Sequence, residues 1–421
     1  MRRTPWVLAL ALPLFAAGVA RALPPPACDN SDGANLIANP IYILAADTQV
    51  PMLKALGKQL RAQAAPVTLV YIPSGSCTNL ANMYQGKYVV SGAGGGPYYI
   101  PADPAFDPVS SPVPSCAIPA GGLQPDLAIS IVFPDQTDCP TAGTRPSTIA
   151  AFPGPVQAFV FAVPRMSSQV AITAEEAYLV FGFGANDPTK LVAPWSDPNF
   201  LYGRPVTKGT MISIGANIGV PAGKWQLLAA NKIDQSSVMA STLIGHNADG
   251  NADKSLGILG AEIYDQSSNR AMLKSLAFRA FKQYHAFWPD STPTSFDKQN
   301  LRDGHYTLWS YVQYLAAVDG SGVPSKPAVK SLIDLLVGNA VTTNPPFEPL
   351  DVEIANGLVP ACAMSVQRTS EGGDLSLYSA PQPCGCYYDA KVPSGSTTCS
   401  ACTDSTTCGT GMCRHGYCEA R

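Results

Sequence analysis

The pattern of apolar and polar positions predicts alternating strands and helices in the first part of the chain. Pro40–Ala46 and Val67–Ile72 are short, almost continuously apolar runs, which is typical of buried strands. Between them, Pro51–Ala64 has apolar residues at helical spacing, with Asp47 or Thr48 as the expected N-cap. This order of strand, helix and strand is a βαβ unit, which calls for a parallel sheet.

The same patterns predict elements along most of the remaining chain. Further strands are expected at Tyr88–Val90, Leu127–Val132, Val156–Val163 and Leu256–Gly260. Helices are expected at Ile172–Phe181, Thr210–Val220, Ser237–Ile244, Tyr306–Ala317 and Ala328–Val337. The first of these helices has a defined start, because Thr173 can cap it and Glu175 and Glu176 lie in its first turn. From Cys362 the composition changes to Ser, Thr, Gly and Cys, which indicates a boundary.

Composition and the N-terminus indicate export. The chain has 421 residues, so two domains are the starting expectation. Arg2 and Arg3 precede an apolar run that ends in Ala20-Arg21-Ala22, which predicts a signal peptide over residues 1–22. No later apolar run is long enough to suggest a membrane span. A formal net charge of −3 and only 14% charged residues argue against a dedicated nucleic-acid-binding protein, which needs a basic face for phosphates. We therefore expect a periplasmic or extracellular protein.

The 12 cysteines form two groups of even size. Cys28, Cys77, Cys116 and Cys139 lie in the first third, and eight more lie between Cys362 and Cys418. Each group can close on itself, although spacing alone leaves the connectivity open. The tail has few aliphatic residues to bury, so we predict four disulfides within Cys362–Cys418. Cys399, Cys402 and His415 could also form a zinc site, but disulfides are favoured in an exported chain, and we expect neither a metal nor a cofactor.

Two turns have the residue types of an anion site. Tyr71–Asn79 (YIPSGSCTN) follows a strand and opens a helix, with hydroxyls and Gly75 where backbone N–H groups converge. Gly203–Met211 (GRPVTKGTM) adds the guanidinium fork of Arg204 to another helix start. An ordinary capping turn and a solvated loop remain the alternatives for these segments. No Gly-x-Ser-x-Gly elbow or paired-histidine pattern is present, so we do not expect an enzyme.

The order of these motifs resembles one family of exported proteins. The motifs PIYILAADTQVPML, YIPSGSCTN, PDLAISIVFP, ITAEEAYLVFGFG, GRPVTKGT and FDKQNLRDGHYTLWSYVQYL together resemble the phosphate-binding-protein-like periplasmic solute-binding proteins. The resemblance covers about Pro40–Leu315. It implies the type II fold, in which two α/β lobes are joined by two crossing strands, with the ligand between them. The expected division is residues 23–160 for lobe one, 161–282 for lobe two, 283–361 for the return to lobe one, and a disulfide-rich tail over 362–421.

The resemblance also implies a set of ligand-binding residues. They are Thr48, Ser74, Gly75, Ser76 and Ser130 in the first lobe, and Arg204, Thr207, Gly209 and Thr210 in the second. The sequence departs from the family where its phosphate binders place an Asp after a Ser, because Ser130 is followed by Ile131. Lys208 also replaces the small residue that is usual before Gly-Thr. Ile131→Asp should therefore shift preference towards phosphate.

Two functions remain open at this point. The leading hypothesis is a solute-binding protein for a small oxyanion such as phosphate or sulfate. Its expected partner is a membrane transport complex or a surface protein. The alternative is an exported interaction protein that keeps the fold without binding a small ligand. A secreted hydrolase is less well supported, because no nucleophile–base pair is evident.

Overall fold

A computed structural model of the chain describes residues 24–33, 35–87, 95–135, 139, 142–338 and 347–419. The predicted signal peptide and the predicted strand Tyr88–Val90 lie outside these ranges. We keep the terms first lobe (to residue 160), second lobe (161–282), return segment (283–361) and tail (from 362). These boundaries stay a prediction, and the first of them falls within a strand.

The elements follow one another in mixed α/β order. The first lobe has β1 (Pro40–Ala46), α1 (Val50–Arg61), β2 (Thr68–Ser74), α2 (Ser76–Tyr84), β3 (Tyr98–Tyr99), β4 (Leu127–Ser130) and most of β5 (Ile149–Pro164). The second lobe has β6 (Ala171–Thr173), α3 (Ala174–Phe183), α4 (Gly209–Asn217), α5 (Ser236–Gly245), β7 (Gly257–Gly260), α6 (Ala261–Tyr264), α7 (Ser267–Met272), β8 (Leu273–Ser275) and β9 (Ala277–Arg279). The return segment and the tail have α8 (Gln299–Arg302), β10 (Trp309–Ala317), α9 (Pro327–Leu336), α10 (Pro349–Ala355), β11 (Val366–Gln367), β12 (Ser376–Leu377), α11 (Gly385–Lys391), β13 (Met412–Arg414) and β14 (Tyr417–Glu419).

One long strand extends through both lobes. The main sheet has the order β3-β2-β1-β4-β10-β5-β7, with β8 also paired to β5. Residues 149–158 of β5 pair with β10, whereas residues 159–164 pair with β7 and β8. Beside β5, Leu308 accepts a hydrogen bond from the Phe159 N–H, so the return segment crosses next to it. The predicted class is therefore confirmed: two α/β lobes share a sheet, and two segments connect them.

The predicted βαβ unit is present, because β1 and β2 are parallel and α1 connects them. The N-cap prediction is wrong, since α1 begins at Val50 and its N-cap residue Gln49 makes no side-chain capping bond. Asp47 and Thr48 lie in a short 3-10 turn before it. The cap of α3 is confirmed: the Thr173 hydroxyl accepts from the Glu176 N–H, and the Glu176 carboxylate accepts from the Thr173 N–H.

The helix predicted at Tyr306–Ala317 is wrong, because Trp309–Ala317 forms β10. This strand is antiparallel to both β4 and β5, and nearly all of its side chains are buried. An apolar run buried on both faces lacks the alternation that distinguishes a strand from a buried helix. Pairing with two neighbouring strands, which sequence periodicity does not report, decides the conformation.

Disulfides close each cysteine group on itself, as predicted. In the first lobe, Cys28 is bonded to Cys116 and Cys77 to Cys139. The four tail bonds are Cys362–Cys384, Cys386–Cys399, Cys402–Cys413 and Cys408–Cys418. The three sulfurs that lie close enough to suggest a metal site, those of Cys402, Cys408 and Cys418, all belong to these bonds. Six disulfides are typical of proteins from an oxidising, extracytoplasmic compartment.

The tail packs on the body of the protein. The Arg302 guanidinium forms an ion pair with Asp389 and lies 4.9 Å from the centre of the Tyr388 ring. The Tyr387 hydroxyl donates to Asp351 at 2.6 Å. Across the parts of the chain that the structure describes, no helix has the length and apolar character needed to cross a membrane.

Candidate functional site

The two predicted anion-binding turns meet each other between the lobes. β2 ends at Ser74, and α2 begins at Ser76, so Gly75 lies where helix N–H groups are free to bind an acceptor. The acceptor is a backbone carbonyl of the other lobe, because the Cys77 N–H donates to the Thr207 oxygen at 3.1 Å. A Cβ on Gly75 would lie 2.7 Å from that same oxygen. The glycine therefore allows the second lobe to approach the helix start.

An apolar side chain occupies the space beside the second helix start. Ile131 is 2% exposed, and its side chain would clash with a Cβ at Gly209, the first residue of α4. The Ile131 N–H donates to the Ser76 hydroxyl oxygen at 3.1 Å, so this predicted ligand group already has a partner within the protein. Where the resemblance implies a phosphate-contacting Asp, this chain has a buried aliphatic side chain against the start of α4, and the backbone of the same residue is bonded to the start of α2.

The Arg204 guanidinium is fully buried and bonded to the protein itself. Its Nη2 donates to the Asp47 carboxylate at 2.6 Å and to the Asp234 carbonyl at 2.5 Å. Its Nη1 donates to the Ser236 hydroxyl at 2.5 Å. Only Nε has no hydrogen-bond partner among the described residues. Both terminal nitrogens of the guanidinium that could bind a free oxyanion are thus already bonded within the protein, and one of them to a carboxylate.

Asp47 provides that carboxylate from the other lobe. It follows β1 directly, and its side chain is 18% exposed. The Lys208 ammonium lies 3.6 Å from Asp47 and 3.3 Å from Asp234, so both cations of the second turn are adjacent to acids of the chain. The Asp47 carboxylate therefore lies next to two cations, in the position that a bound anion would otherwise take.

Thr48 belongs to a different buried polar chain. Its hydroxyl donates to the Gln157 side-chain oxygen at 3.2 Å, and the Gln49 amide donates to the same oxygen at 2.6 Å. The Gln157 amide in turn donates to the Glu262 carboxylate at 2.7 Å. Burial is the largest influence on Glu262 and raises the pKa of its carboxyl well above the ordinary value.

The other predicted residues take local positions. Ser130 is buried, and its hydroxyl bonds with the backbone of Val132 two residues further on. Ser74 and Thr210 are buried at the end of β2 and in the first turn of α4. The structure therefore brings Gly75, Ser76, Thr207 and Gly209 together and leaves Ser130 bonded within its own turn.

Open space remains elsewhere between the lobes. A cavity of about 740 Å³ is lined by residues of both lobes, the return segment and the tail. Asp47 and Lys208 line it, together with Lys54, Asp234 and Glu262. None of the nine predicted ligand residues is part of its lining. The predicted site and the available space are thus different parts of the molecule.

Sequence analysis gave no role in this site to four residues that organise it: Asp47, Ser236, Ser213 and Glu371. A signal existed for Asp47, because it is an acid directly after the first strand, where the side chains of a site between α/β lobes are expected. The others lie in helices or the tail without a motif around them. Ser213 in α4 donates to the buried Glu371 carboxylate at 2.8 Å.

Comparison with known proteins identifies likeness at the level of structure. No family model and no curated protein matches the chain. A solved structure described as a phosphate ABC transporter substrate-binding protein with bound phosphate, from Clostridium perfringens, is 12% identical, with 77% of this chain and 100% of that chain covered and a TM-score of 0.49. An ABC-type phosphate transport receptor from Vibrio cholerae is 12% identical, with coverages of 76% and 99% and a TM-score of 0.44. A phosphate-binding protein from Stenotrophomonas maltophilia is 12% identical, with coverages of 77% and 90% and a TM-score of 0.42.

Proposed function

We propose that the chain is an exported, non-catalytic interaction protein that uses the two-lobed fold as a scaffold, rather than a carrier for a free oxyanion. The observation that carries this proposal is the internal ion pair between Arg204 and Asp47. It bonds a fully buried guanidinium to a carboxylate of the opposite lobe at 2.6 Å. An oxyanion that used Arg204 would have to displace this carboxylate first.

Displacement is unfavourable for two further reasons. Asp47 and Asp234 would repel an incoming dianion, because both lie next to the cations it would bind. The Ile131 side chain lies against Gly209 at the second helix start, so an anion there would lose hydration next to a group that offers no hydrogen-bond donor in return. In the first turn, the Cys77 N–H already donates to the Thr207 carbonyl, and the Ser76 hydroxyl oxygen accepts from the Ile131 N–H.

An interaction role fits the remaining features. Six disulfides stabilise a surface for an oxidising compartment, in agreement with the predicted signal peptide and an extracellular or periplasmic location. The tail adds surface that is packed against the body rather than a separate mobile segment. We therefore expect the partner to be a macromolecule that contacts the outer surface.

The proposal is tested by calorimetric titration with phosphate and with sulfate. The wild type should show no binding of either anion with a Kd below about 1 mM. In Asp47→Ala the Arg204 fork loses its internal carboxylate, and an added anion can take its place. This variant should bind sulfate or phosphate at least about tenfold more tightly than the wild type, since a hydrogen bond between charged groups contributes about 1.5–3 kcal/mol and 1.4 kcal/mol is tenfold.

Asp103→Ala is the matched control, because it removes an exposed acid of the same lobe and changes the net charge equally. It should leave anion binding at the wild-type level. Micromolar binding of phosphate by the wild type, abolished by Arg204→Ala, would overturn the proposal and restore the oxyanion-carrier hypothesis.

A further inference from the structure

A short part of the tail crosses the junction of the two lobes. Residues 366–377, which we call the strap, lie within the loop that the Cys362–Cys384 disulfide closes. The segment that leads into the strap is fixed to the return segment: the Ser365 N–H donates to the Arg302 carbonyl at 3.0 Å, and the Arg302 guanidinium Nε donates to the Ala363 carbonyl at 2.9 Å. On the other side of the strap, the Tyr378 N–H donates to the Ser365 carbonyl at 2.9 Å, so both ends of the strap are held at the same place.

Glu371, in the strap, binds both lobes at once. Its Oε1 accepts from the Phe133 N–H at 3.1 Å, in the first lobe just after β4, and from the Ser310 hydroxyl at 2.7 Å in β10. Its Oε2 accepts from the Ser213 hydroxyl at 2.8 Å, in α4 of the second lobe. The residue is 8% exposed. Three donors from three segments converge on this one carboxylate.

The contacts around Glu371 are close on the second-lobe side as well. A Cβ on Gly372 would lie 3.0 Å from Ala216 in α4, so the strap backbone lies directly on this helix. Arg368 donates to the Thr307 carbonyl at 2.9 Å and lies 3.9 Å from the centre of a Trp309 ring. The helix that the strap touches is the one whose start contacts Ser76 and Ile131.

We propose that the strap holds the two lobes together in place of a diffusible ligand, and that Glu371 is the residue through which it does so. In a two-lobed protein, a ligand stabilises the closed arrangement by bonding to groups of both lobes at once. Glu371 makes that kind of bond from within the chain. The inference rests on the proposed function, in which Arg204 is bonded to Asp47 of the opposite lobe instead of to a free anion, and adds a second element that joins the lobes.

Because Glu371 can be protonated, the strap should hold the lobes together more or less firmly as the pH changes. Within the described residues, the groups acting on it are the Ser310 and Ser213 hydroxyls, the Arg368 guanidinium with Tyr311 beside it, and the Phe133 N–H. Burial outweighs them and raises the pKa of the carboxyl from 4.5 to about 6. The closed form therefore holds this proton more tightly than an open form in which Glu371 is hydrated. Acid should strengthen the closed form, not release it.

Hydrogen exchange of the Cys77 amide tests the proposal, because this N–H donates across the lobes to Thr207. In Glu371→Ala, exchange at Cys77 should become at least about tenfold faster, while amides of β1 keep their wild-type rates. Asp374→Ala is the matched control, since it removes an exposed acid of the same strap. Equal acceleration at Cys77 and in β1 would show general destabilisation and overturn the proposal, as would no change at Cys77.

Glu371→Gln provides a second test that does not depend on deleting the contact. Its amide oxygen keeps an acceptor for these donors without a charge, so Cys77 should stay protected. In the wild type, Cys77 protection corrected for intrinsic exchange should rise about eightfold between pH 7 and pH 5, and in Glu371→Gln it should not. A wild-type profile as flat as that of the Gln variant would refute the pH response. Anion titration, which decides the proposed function, is a separate readout, so failure of either is recognisable.

Discussion

The inner contact between the lobes and the neighbouring cavity differ in how their polar groups are satisfied. At the inner contact, Arg204, Ser76 and the start of α2 are bonded to groups of the chain itself. In the cavity of about 740 Å³, Glu262 has one carboxylate oxygen bonded to Gln157 and another without a partner among the described residues. The comparison shows that a region can contain the residue types of an anion site while those residues are bonded to one another and not free to bind an anion.

The largest expected effect comes from removing the cation of the inner contact. Arg204→Ala leaves the Asp47 carboxylate without its closest partner and removes the bonds to Ser236 and Asp234. We expect the free energy of unfolding to fall by about 3 kcal/mol, the lower end of the range for breaking a buried pair. Denaturant unfolding at pH 7 measures this.

The exposed pair Arg279–Glu175 provides the control for that experiment. Arg279→Ala should cost less than about 1 kcal/mol, because the side chains of this pair are 37% and 51% exposed and water screens their attraction. If both variants lost the same small amount of unfolding free energy, Arg204 would not stabilise the fold more than a surface arginine does. The distinction between the inner contact and the surface would then fail.

A smaller loss of unfolding free energy is expected when Ile131, the apolar residue of the inner contact, is replaced by an acid. Ile131→Asp places a carboxylate in a 2% exposed position against Gly209 and Ser76, which should cost about 2 kcal/mol at pH 7. Ile131→Val, which only shortens the side chain, should cost about 1 kcal/mol. A fully stable Ile131→Asp variant that binds phosphate would show that the position belongs to a ligand site after all.

The smallest expected effect concerns the cavity. Burial raises the pKa of Glu262, so the folded protein holds this proton more tightly than the unfolded chain does. The contribution of Glu262 to stability is therefore complete below its unfolded pKa and is lost as the pH rises above it. Relative to Glu262→Gln, the wild type should become less stable between pH 5 and pH 8.

Unfolding curves of both proteins across that pH range check the prediction. Glu175→Gln changes an exposed glutamate and should give a nearly constant difference from the wild type. A difference between wild type and Glu262→Gln that does not vary with pH would mean that Glu262 is not desolvated in solution.

Much of the fold was predictable, because local patterns determine it. The βαβ unit, the capped helix α3 and the two self-contained cysteine groups follow from periodicity, capping residues and composition. β10 was missed because its conformation depends on two neighbouring strands. Asp47 was expected to cap a helix, and only the approach of the second lobe gives its carboxylate a different partner.

The sequence predicted where the candidate site lies, but not whether its groups are free to bind a ligand. The two motif turns do meet, through Gly75 with Thr207 and Ser76 with Gly209. Whether such groups bind a ligand or one another depends on residues far away in sequence, such as Asp47 against Arg204 and Glu371 against Ser213. Those pairings are separated by well over a hundred residues, and no local pattern encodes them.

The central claim is that the protein itself keeps its lobes closed. Small-angle X-ray scattering of the wild type, in anion-free buffer and then in excess phosphate, tests this most directly. We predict that the two curves superimpose and that both fit the closed two-lobed structure. An anion-free curve from a more extended molecule that contracts when phosphate is added would contradict the account.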